Sequence, residues 1–160
     1  MEVLSIGSPA PAFCLPDKDN TEICLNAFAG KWVILYFYPR DNTPGCTTEA
    51  KGFNEELTAF SHLNAEIIGI SADSCTSHAK FAGTHGLKII LLSDESHRVI
   101  EEYHAWQPKR ILGREIPGIV RTTYIIGPDA TIREVWPRVR VTGHVKAVKE
   151  RLEELQEISG

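Results

Sequence analysis

The segment WVILYFY, residues 32–38, constrains the fold most strongly. Its seven apolar or aromatic residues lack the polar alternation of a strand with one face in water. The run is also far too short to cross a bilayer as a helix, which needs about 20 residues. It therefore predicts a strand buried on both faces, in the interior of a sheet that helices cover.

Patterns in the rest of the chain predict alternating strands and helices. Strands are indicated by apolar runs between turn signals, at residues 12–15, 22–25, 32–38, 66–72, 88–93, 118–126 and 131–137. Helices are indicated by apolar residues at 3–4 spacing, from Pro44 through Phe60, over 74–85, over 96–104 and along a C-terminal stripe from Val145 to Leu155. This order predicts an α/β protein with a mixed central sheet flanked by helices.

Length and charge narrow the class of protein. The chain has 160 residues, which predicts one domain over 1–160. A net charge of −4 argues against a sequence-independent nucleic-acid binder, which needs a basic surface. The first residues lack a basic region followed by a long apolar core, so we expect no secretory signal, no membrane association and a cytoplasmic protein.

Four cysteines occur, separated by 10, 22 and 29 residues. No pair has the Cys-x-x-Cys spacing of a zinc knuckle or a thioredoxin redox pair, and no His-x-x-x-His pair exists. We therefore expect no metal site and no cofactor. In a reducing compartment, most cysteines are small buried hydrophobic residues.

Cys46 stands out because it closes the stretch TPGC, just after the buried strand at 32–38. Thr43 suits a helix N-cap and Pro44 suits the first helical position. Cys46 then falls in the first turn, where unpaired N–H groups and the helix dipole stabilise a thiolate. The alternative is an ordinary helix start with Cys46 as a filler, and these four residues alone leave both interpretations open.

The surrounding sequence resembles the peroxiredoxins. The most specific match is FYPRDNTPGCTTEA, which contains the pattern Pro-x-x-x-Thr-x-x-Cys. Four further segments resemble the family and occur in the same order as in it: GSPAPAFCLPDKDN, IIGISADSCTSHAKFAGTHGL, LLSDESHRVIEEYHAW and GIVRTTYIIGPDATI. Within the peroxiredoxins, the sequence FYPRDNTPGCTTEA is most similar to the bacterioferritin comigratory protein group. The resemblance implies a thioredoxin-like fold with an N-terminal β-hairpin extension, and thiol peroxidase activity.

The resemblance also implies roles for individual residues. Cys46 matches the peroxidatic cysteine, Thr43 the threonine that contacts thiolate and peroxide, and Pro39 the proline that shields the site from water. Arg121 matches the active-site arginine, and Glu49 a supporting glutamate. These types fit displacement at an O–O bond, because fixed donors stabilise the charge that develops on the oxygens. If the resemblance is set aside, the alternative interpretations are that Arg121 is a solvated strand arginine and that Thr43 is a plain N-cap.

The resolving thiol departs from the group's pattern. Many members carry a second cysteine five residues after the first, where this chain has Lys51. Cys75 opens the helix after the next buried strand and is our candidate resolving cysteine; the alternative is a structural residue. Cys14 and Cys24 face each other across the predicted hairpin, and we expect them to be reduced structural residues. If no internal thiol resolves Cys46, an external thiol reduces it directly.

We therefore expect an enzyme that reduces hydrogen peroxide and organic hydroperoxides to water and alcohols. The expected partners are the peroxide and a thioredoxin-like or other thiol reductant, with the protein as a monomer or a weak dimer. One alternative is a thioredoxin-fold binding or chaperone-like module whose thiol is incidental. A disulfide oxidoreductase is less well supported, because Cys-x-x-Cys is missing.

Overall fold

The computed structural model describes residues 3–159. The strands are β1 (Cys14–Pro16), β2 (Glu22–Cys24), β3 (Trp32–Phe37), β4 (Ala65–Ser71), β5 (Ile90–Ser93), β6 (Trp106–Ile111), β7 (Arg114–Ile119), β8 (Thr122–Ile126) and β9 (Ile132–Trp136). The α-helices are α1 (Pro44–Glu55), α2 (Leu57–His62), α3 (Cys75–His85), α4 (Arg98–Glu102) and α5 (His144–Ser159). Within the described part, no helix is long and apolar enough to cross a bilayer.

A five-stranded mixed sheet forms the centre, in the order β5-β4-β3-β8-β9. β3 lies in its middle, parallel to β4 and antiparallel to β8, and all six of its residues are buried. This confirms the prediction from the uninterrupted apolar run. Because β3 and β4 are parallel, α1 and α3 begin at the same edge of the sheet, where functional sites of α/β proteins usually lie.

Two apolar clusters cover the two faces of the sheet. The first packs α1, α2, α3 and α5 against alternate residues of β3, including Ile34 and Tyr36. In this cluster Tyr36 stacks on Phe53 with ring centroids 4.8 Å apart. A Cβ at Gly69 would come within 2.7 Å of Tyr36, so only glycine leaves room for that ring. The second cluster packs the N-terminal segment and α4 on the opposite face.

The structure corrects two sequence predictions and adds one pair of strands. The predicted helix from Pro44 to Phe60 is two helices, since the chain turns at Glu56. The predicted strand 118–126 is interrupted at Val120 and Arg121, where the Val120 N–H bonds the carbonyl of Ala105. The antiparallel pair β6–β7 was not predicted at all.

Candidate active site

Cys46 lies in the first turn of α1, as the sequence predicts, and its exposed fraction is only 1 %. Thr43 occupies the N-cap position with an extended backbone, and its carbonyl accepts the first helical bond, from Thr47 N–H at 2.8 Å. The Thr43 hydroxyl does not cap the helix, since it donates to the carbonyl of Arg40 at 2.9 Å.

Arg121 reaches Cys46 although 75 residues separate them in the chain. The β3–β8 register explains this, because Phe37 pairs with Thr122, so the end of β3 meets the start of β8. Arg121 Nη2 donates to Cys46 Sγ at 3.3 Å. Arg121 is therefore no solvated strand arginine, and a donor at this position stabilises negative charge on the sulfur.

Glu49 fixes the other side of the same guanidinium. Arg121 Nη1 donates to Glu49 Oε1 at 2.6 Å, and the Glu49 side chain is fully buried one helical turn after Cys46. Gly45 gives the guanidinium room, since a Cβ there would lie 3.2 Å from Arg121 Nη2. The Arg121 carbonyl accepts a hydrogen bond from Val139 N–H at 2.8 Å, which anchors the backbone.

Burial sets the charges of this pair. Removal from water raises the pKa of the Glu49 carboxyl to about 7, and the charge and hydrogen bond of Arg121 offset only part of that rise. Glu49 Oε2 is buried with no hydrogen-bond partner among the described residues. Burial opposes the charge of Arg121, but Glu49 and Cys46 raise the pKa of the guanidinium overall.

A buried network behind the loop between β3 and α1 escaped the sequence analysis. Asp41 accepts hydrogen bonds from the hydroxyls of Tyr38 at 2.6 Å and Ser77 at 2.8 Å, and its Oδ2 lies 2.8 Å from His78 Nδ1. The Asp41 N–H donates to Asp73 at 2.8 Å. These bonds tie the loop that carries Pro39 and Thr43 to α3. The sequence offered one signal of this network, which is His78, three residues before Phe81 on the predicted helix.

The same network contains a possible set of metal ligands, since ligand atoms of Asp41, Asp73 and His78 lie within 4.8 Å of one another. Each of these atoms already has a protein partner. His78 Nε2, the other ring nitrogen, lies 3.0 Å from the Leu92 carbonyl, and Asp73 Oδ2 accepts from the Ser71 hydroxyl at 2.7 Å. The arrangement therefore satisfies buried polar groups by itself.

The hairpin cysteines differ from our expectation. Cys14 and Cys24 pair directly across β1 and β2, as predicted, but they form a disulfide rather than two reduced thiols. The physical reason is the register, which brings their Cα atoms to 4.0 Å. The expectation of reduced thiols came from the assumed compartment, which says nothing about this geometry.

Cys75 is a free thiol at the first residue of α3. Its sulfur lies 3.9 Å from Asn20 Oδ1 in the hairpin turn. Burial, followed by the charges of Glu95 and Asp17, raises the pKa of the thiol. No disulfide or hydrogen bond joins Cys75 to Cys46 in the described structure, although both begin helices at the same edge of the sheet.

A cavity of about 630 Å³ opens beside Arg121, and Pro39 forms part of its wall. Pro39 thus lies at the site, next to the residue that contacts the sulfur. The structure brings Cys46, Arg121 and Glu49 into direct contact and places Pro39 beside them, while the Thr43 hydroxyl points to Arg40.

Comparison with known proteins agrees with this arrangement. Residues 6–135 match the model of the AhpC/TSA family. A putative peroxiredoxin bcp of Coxiella burnetii is 42 % identical over 93 % of this chain and 99 % of its own length. Peroxiredoxin Bcp of Bacillus subtilis is 38 % identical over 96 % of this chain and 98 % of its own.

Solved structures give the same result. The bacterioferritin comigratory protein of Xanthomonas campestris, studied for its alkyl peroxide reduction activity, superposes with a TM-score of 0.85 at 35 % identity, over 89 % of this chain and 90 % of that one. A PrxQ of Xylella fastidiosa reaches a TM-score of 0.92 at 32 % identity, over 98 % and 99 %. The predicted thioredoxin-like fold with an N-terminal hairpin is confirmed. The chain belongs to the AhpC/TSA family and is a peroxiredoxin, a thiol peroxidase of the Bcp group.

Proposed function

We propose that Cys46 is the nucleophile of this peroxidase and that it reduces hydrogen peroxide and organic hydroperoxides. The observation that carries the proposal is the contact of Arg121 Nη2 with Cys46 Sγ at 3.3 Å, held by the bond from Nη1 to Glu49 at 2.6 Å. The buried Glu49 holds the Arg121 guanidinium against the sulfur before substrate arrives. Little reorganisation is therefore needed during the reaction.

In the proposed reaction, the Cys46 thiolate attacks the distal oxygen of the peroxide. The S–O bond forms as the O–O bond breaks, and the leaving oxygen takes up a proton as water or an alcohol. Cys46 is then a sulfenic acid. Arg121 donates hydrogen bonds that stabilise the negative charge as it moves from the sulfur to the oxygen. Pro39 keeps bulk water from the site, and the Thr43 hydroxyl contacts the peroxide after a rotation that releases the carbonyl of Arg40.

Cys75 is the proposed resolving cysteine. Its thiol attacks the Cys46 sulfenic sulfur, water leaves, and a disulfide forms that a thioredoxin-like dithiol reduces. Most disulfides join Cα atoms about 4.4–6.8 Å apart. The Cys75 sulfur contacts Asn20 and not Cys46, so we expect this step to require opening of the first turn of α1 or α3, where helix ends fray at low cost. The second candidate is direct reduction by an external thiol, favoured by the raised pKa of Cys75.

Single-turnover oxidation followed by peptide mass spectrometry tests these roles. Cys46→Ser should abolish peroxide reduction, whereas Cys14→Ser should retain it. Substantial turnover by Cys46→Ser would show that Cys46 is not the nucleophile. If Cys75→Ser turns over normally with a thioredoxin-like reductant, Cys75 is structural and the external-thiol route replaces it.

We also propose that the protein acts in the cytoplasm as a monomer or a weak dimer. Sedimentation velocity over a concentration series tests the second point, and a stable higher oligomer would contradict it. Cell fractionation tests the first.

A further inference from the structure

The N-terminal hairpin brings three metal-ligating side chains together. Cys14 lies directly opposite Cys24 in the β1–β2 register, and Glu22 lies two residues before Cys24 on the same strand. Directly opposite residues share one face of a strand pair, and so do residues two apart on a strand. Ligand atoms of the three side chains lie within 4.8 Å of one another. Because the register assembles this set, the sequence spacing of the cysteines does not reveal it.

These side chains occupy the outer face of the hairpin. Cys14 and Glu22 are exposed and Cys24 is half-buried, whereas Leu15, on the inner face, is buried in the second apolar cluster. A cysteine that serves only packing is usually buried. The two hairpin cysteines are instead accessible to a reductant or a metal ion from solvent.

Glu22 supplies an oxygen ligand beside the sulfur atoms. Its Oε1 lies 4.0 Å from Cys24 Sγ. Within residues 3–159, no basic side chain forms an ion pair with Glu22, and Lys18 in the hairpin turn pairs with Asp19 at 3.1 Å instead. The carboxylate therefore has no cation to neutralise it on this face.

Reduction turns the hairpin disulfide into a pair of thiol ligands. A thioredoxin-like dithiol, the class of reductant proposed above for Cys46, breaks the S–S bond between Cys14 and Cys24. Two electrons and two protons pass to the hairpin sulfur atoms, and the dithiol becomes a disulfide. The strand pairing keeps the two cysteines opposite each other, so the reduced hairpin presents both sulfur atoms together.

The geometry of this set suits zinc. Two Zn–S bonds of about 2.3 Å at a tetrahedral angle place the sulfur atoms roughly 3.8 Å apart, and a carboxylate oxygen binds at about 2.0–2.2 Å. Ligand atoms that already lie within 4.8 Å of one another reach these positions by side-chain rotation. Thiolates also favour Zn²⁺ over Mg²⁺ and Ca²⁺, which prefer oxygen ligands.

We propose that the reduced hairpin is a zinc site, in which Cys14, Cys24 and Glu22 bind Zn²⁺ and a water molecule takes the fourth position. Binding releases the two thiol protons. Hydrogen peroxide reverses it: the two thiolates give up two electrons and form the disulfide, the O–O bond breaks, and two protons are taken up as two water molecules and Zn²⁺ leave. The hairpin therefore holds zinc only when it is reduced. This site takes no part in the O–O cleavage at Cys46.

Cobalt is the spectroscopic probe for this site. The protein for the test carries Cys46→Ser and Cys75→Ser, so that the hairpin holds its only cysteines, and it is reduced and freed of reductant without air. Titration with Co²⁺ should give the thiolate-to-metal charge-transfer absorption and the visible bands of a tetrahedral site, and Zn²⁺ should abolish both. The oxidised protein should show neither.

Substitutions in this background assign the ligands. Cys14→Ser should abolish the charge-transfer absorption. Glu22→Gln should weaken Zn²⁺ binding by about tenfold or more, because even partners outside the ligand shell contribute that much. Asp19→Asn is the matched control, since Asp19 is an exposed carboxylate in the turn of the same hairpin and outside the ligand set, and it should leave the affinity unchanged.

Thermal unfolding gives a second readout. Zn²⁺ should raise the Tm of the reduced background protein and leave that of the oxidised protein unchanged. The buried set of Asp41, Asp73 and His78 contains no sulfur, so it cannot produce the charge-transfer absorption. Absence of that absorption from the reduced protein, its persistence in Cys14→Ser, or equal weakening by Glu22→Gln and Asp19→Asn would overturn the site. The background lacks Cys46, so none of these results depends on the proposed peroxidase nucleophile.

Discussion

The charge of Glu49 should make stability depend on pH in a direction unusual for a carboxylate. Most carboxylates in folded proteins are stabilised as anions, so stability rises with pH. Glu49 is fully buried, and among residues 3–159 only its Oε1 has a hydrogen-bond partner, the Arg121 guanidinium at 2.6 Å. Burial therefore favours the neutral acid and raises its pKa from 4.5 to about 7.

The size and sign follow from linkage. A raised pKa means that the folded protein holds the Glu49 proton where the unfolded chain has lost it. This contribution is fully present below pH 4.5 and is lost as pH rises through 7. The difference of 7 − 4.5 = 2.5 pKa units corresponds to about 3 kcal/mol. Between pH 5 and 8, roughly 2–3 kcal/mol of the free energy of unfolding should disappear.

Urea unfolding of the wild type and of Glu49→Gln, at several values between pH 5 and 8, measures this contribution. Other groups titrate in the same range. Burial and then Arg121 lower the pKa of His144 to about 4, so charging of His144 on acidification opposes the Glu49 effect. The difference between the two proteins cancels His144, since both contain it. The advantage of the wild type over Glu49→Gln should shrink by roughly 2–3 kcal/mol as pH rises. A difference that is constant, or that grows with pH, would refute the argument.

Two further predictions concern the site and the hairpin. Arg121→Ala and Thr43→Val should each slow Cys46 oxidation by tenfold or more, as expected when a donor worth about 2–4 kcal/mol is lost. Thr43→Ser should slow it less, because it keeps the hydroxyl. A wild-type rate for Arg121→Ala in stopped-flow assays would exclude Arg121 as a donor to the reacting atoms. Reduction of the disulfide that joins Cys14 to Cys24, across a separation of 10 residues, should lower the free energy of unfolding by roughly 2–3 kcal/mol; a double serine variant should show no response to reductant, and equal sensitivity of both proteins would disprove the assignment.

Local patterns were sufficient for the elements that are strongly apolar. β3 was predicted within one residue because every position of it is buried, and α3 was also predicted within one residue; the structure adds that Ser74 caps it by accepting from Ser77 N–H. The pair β6–β7 was missed for the converse reason. Its residues are mostly exposed or half-buried, and Pro108 and Pro117 lie within its strands. Proline in a strand argues against a central position, but it is tolerated at an edge such as this two-stranded pair.

The site shows the same limit more sharply. The setting of Cys46 at a helix start is local, and the sequence predicted it. The partner of Cys46 is set by the register of β3 with β8, which no local pattern contains, so only resemblance to a family pointed to Arg121. Resemblance in turn had nothing to say about Lys109, whose approach depends on the missing side chain of Gly118 in a strand that was not predicted. The part of the cavity wall that β6 and β7 contribute beside Arg121 therefore lies where neither periodicity nor family pattern reaches.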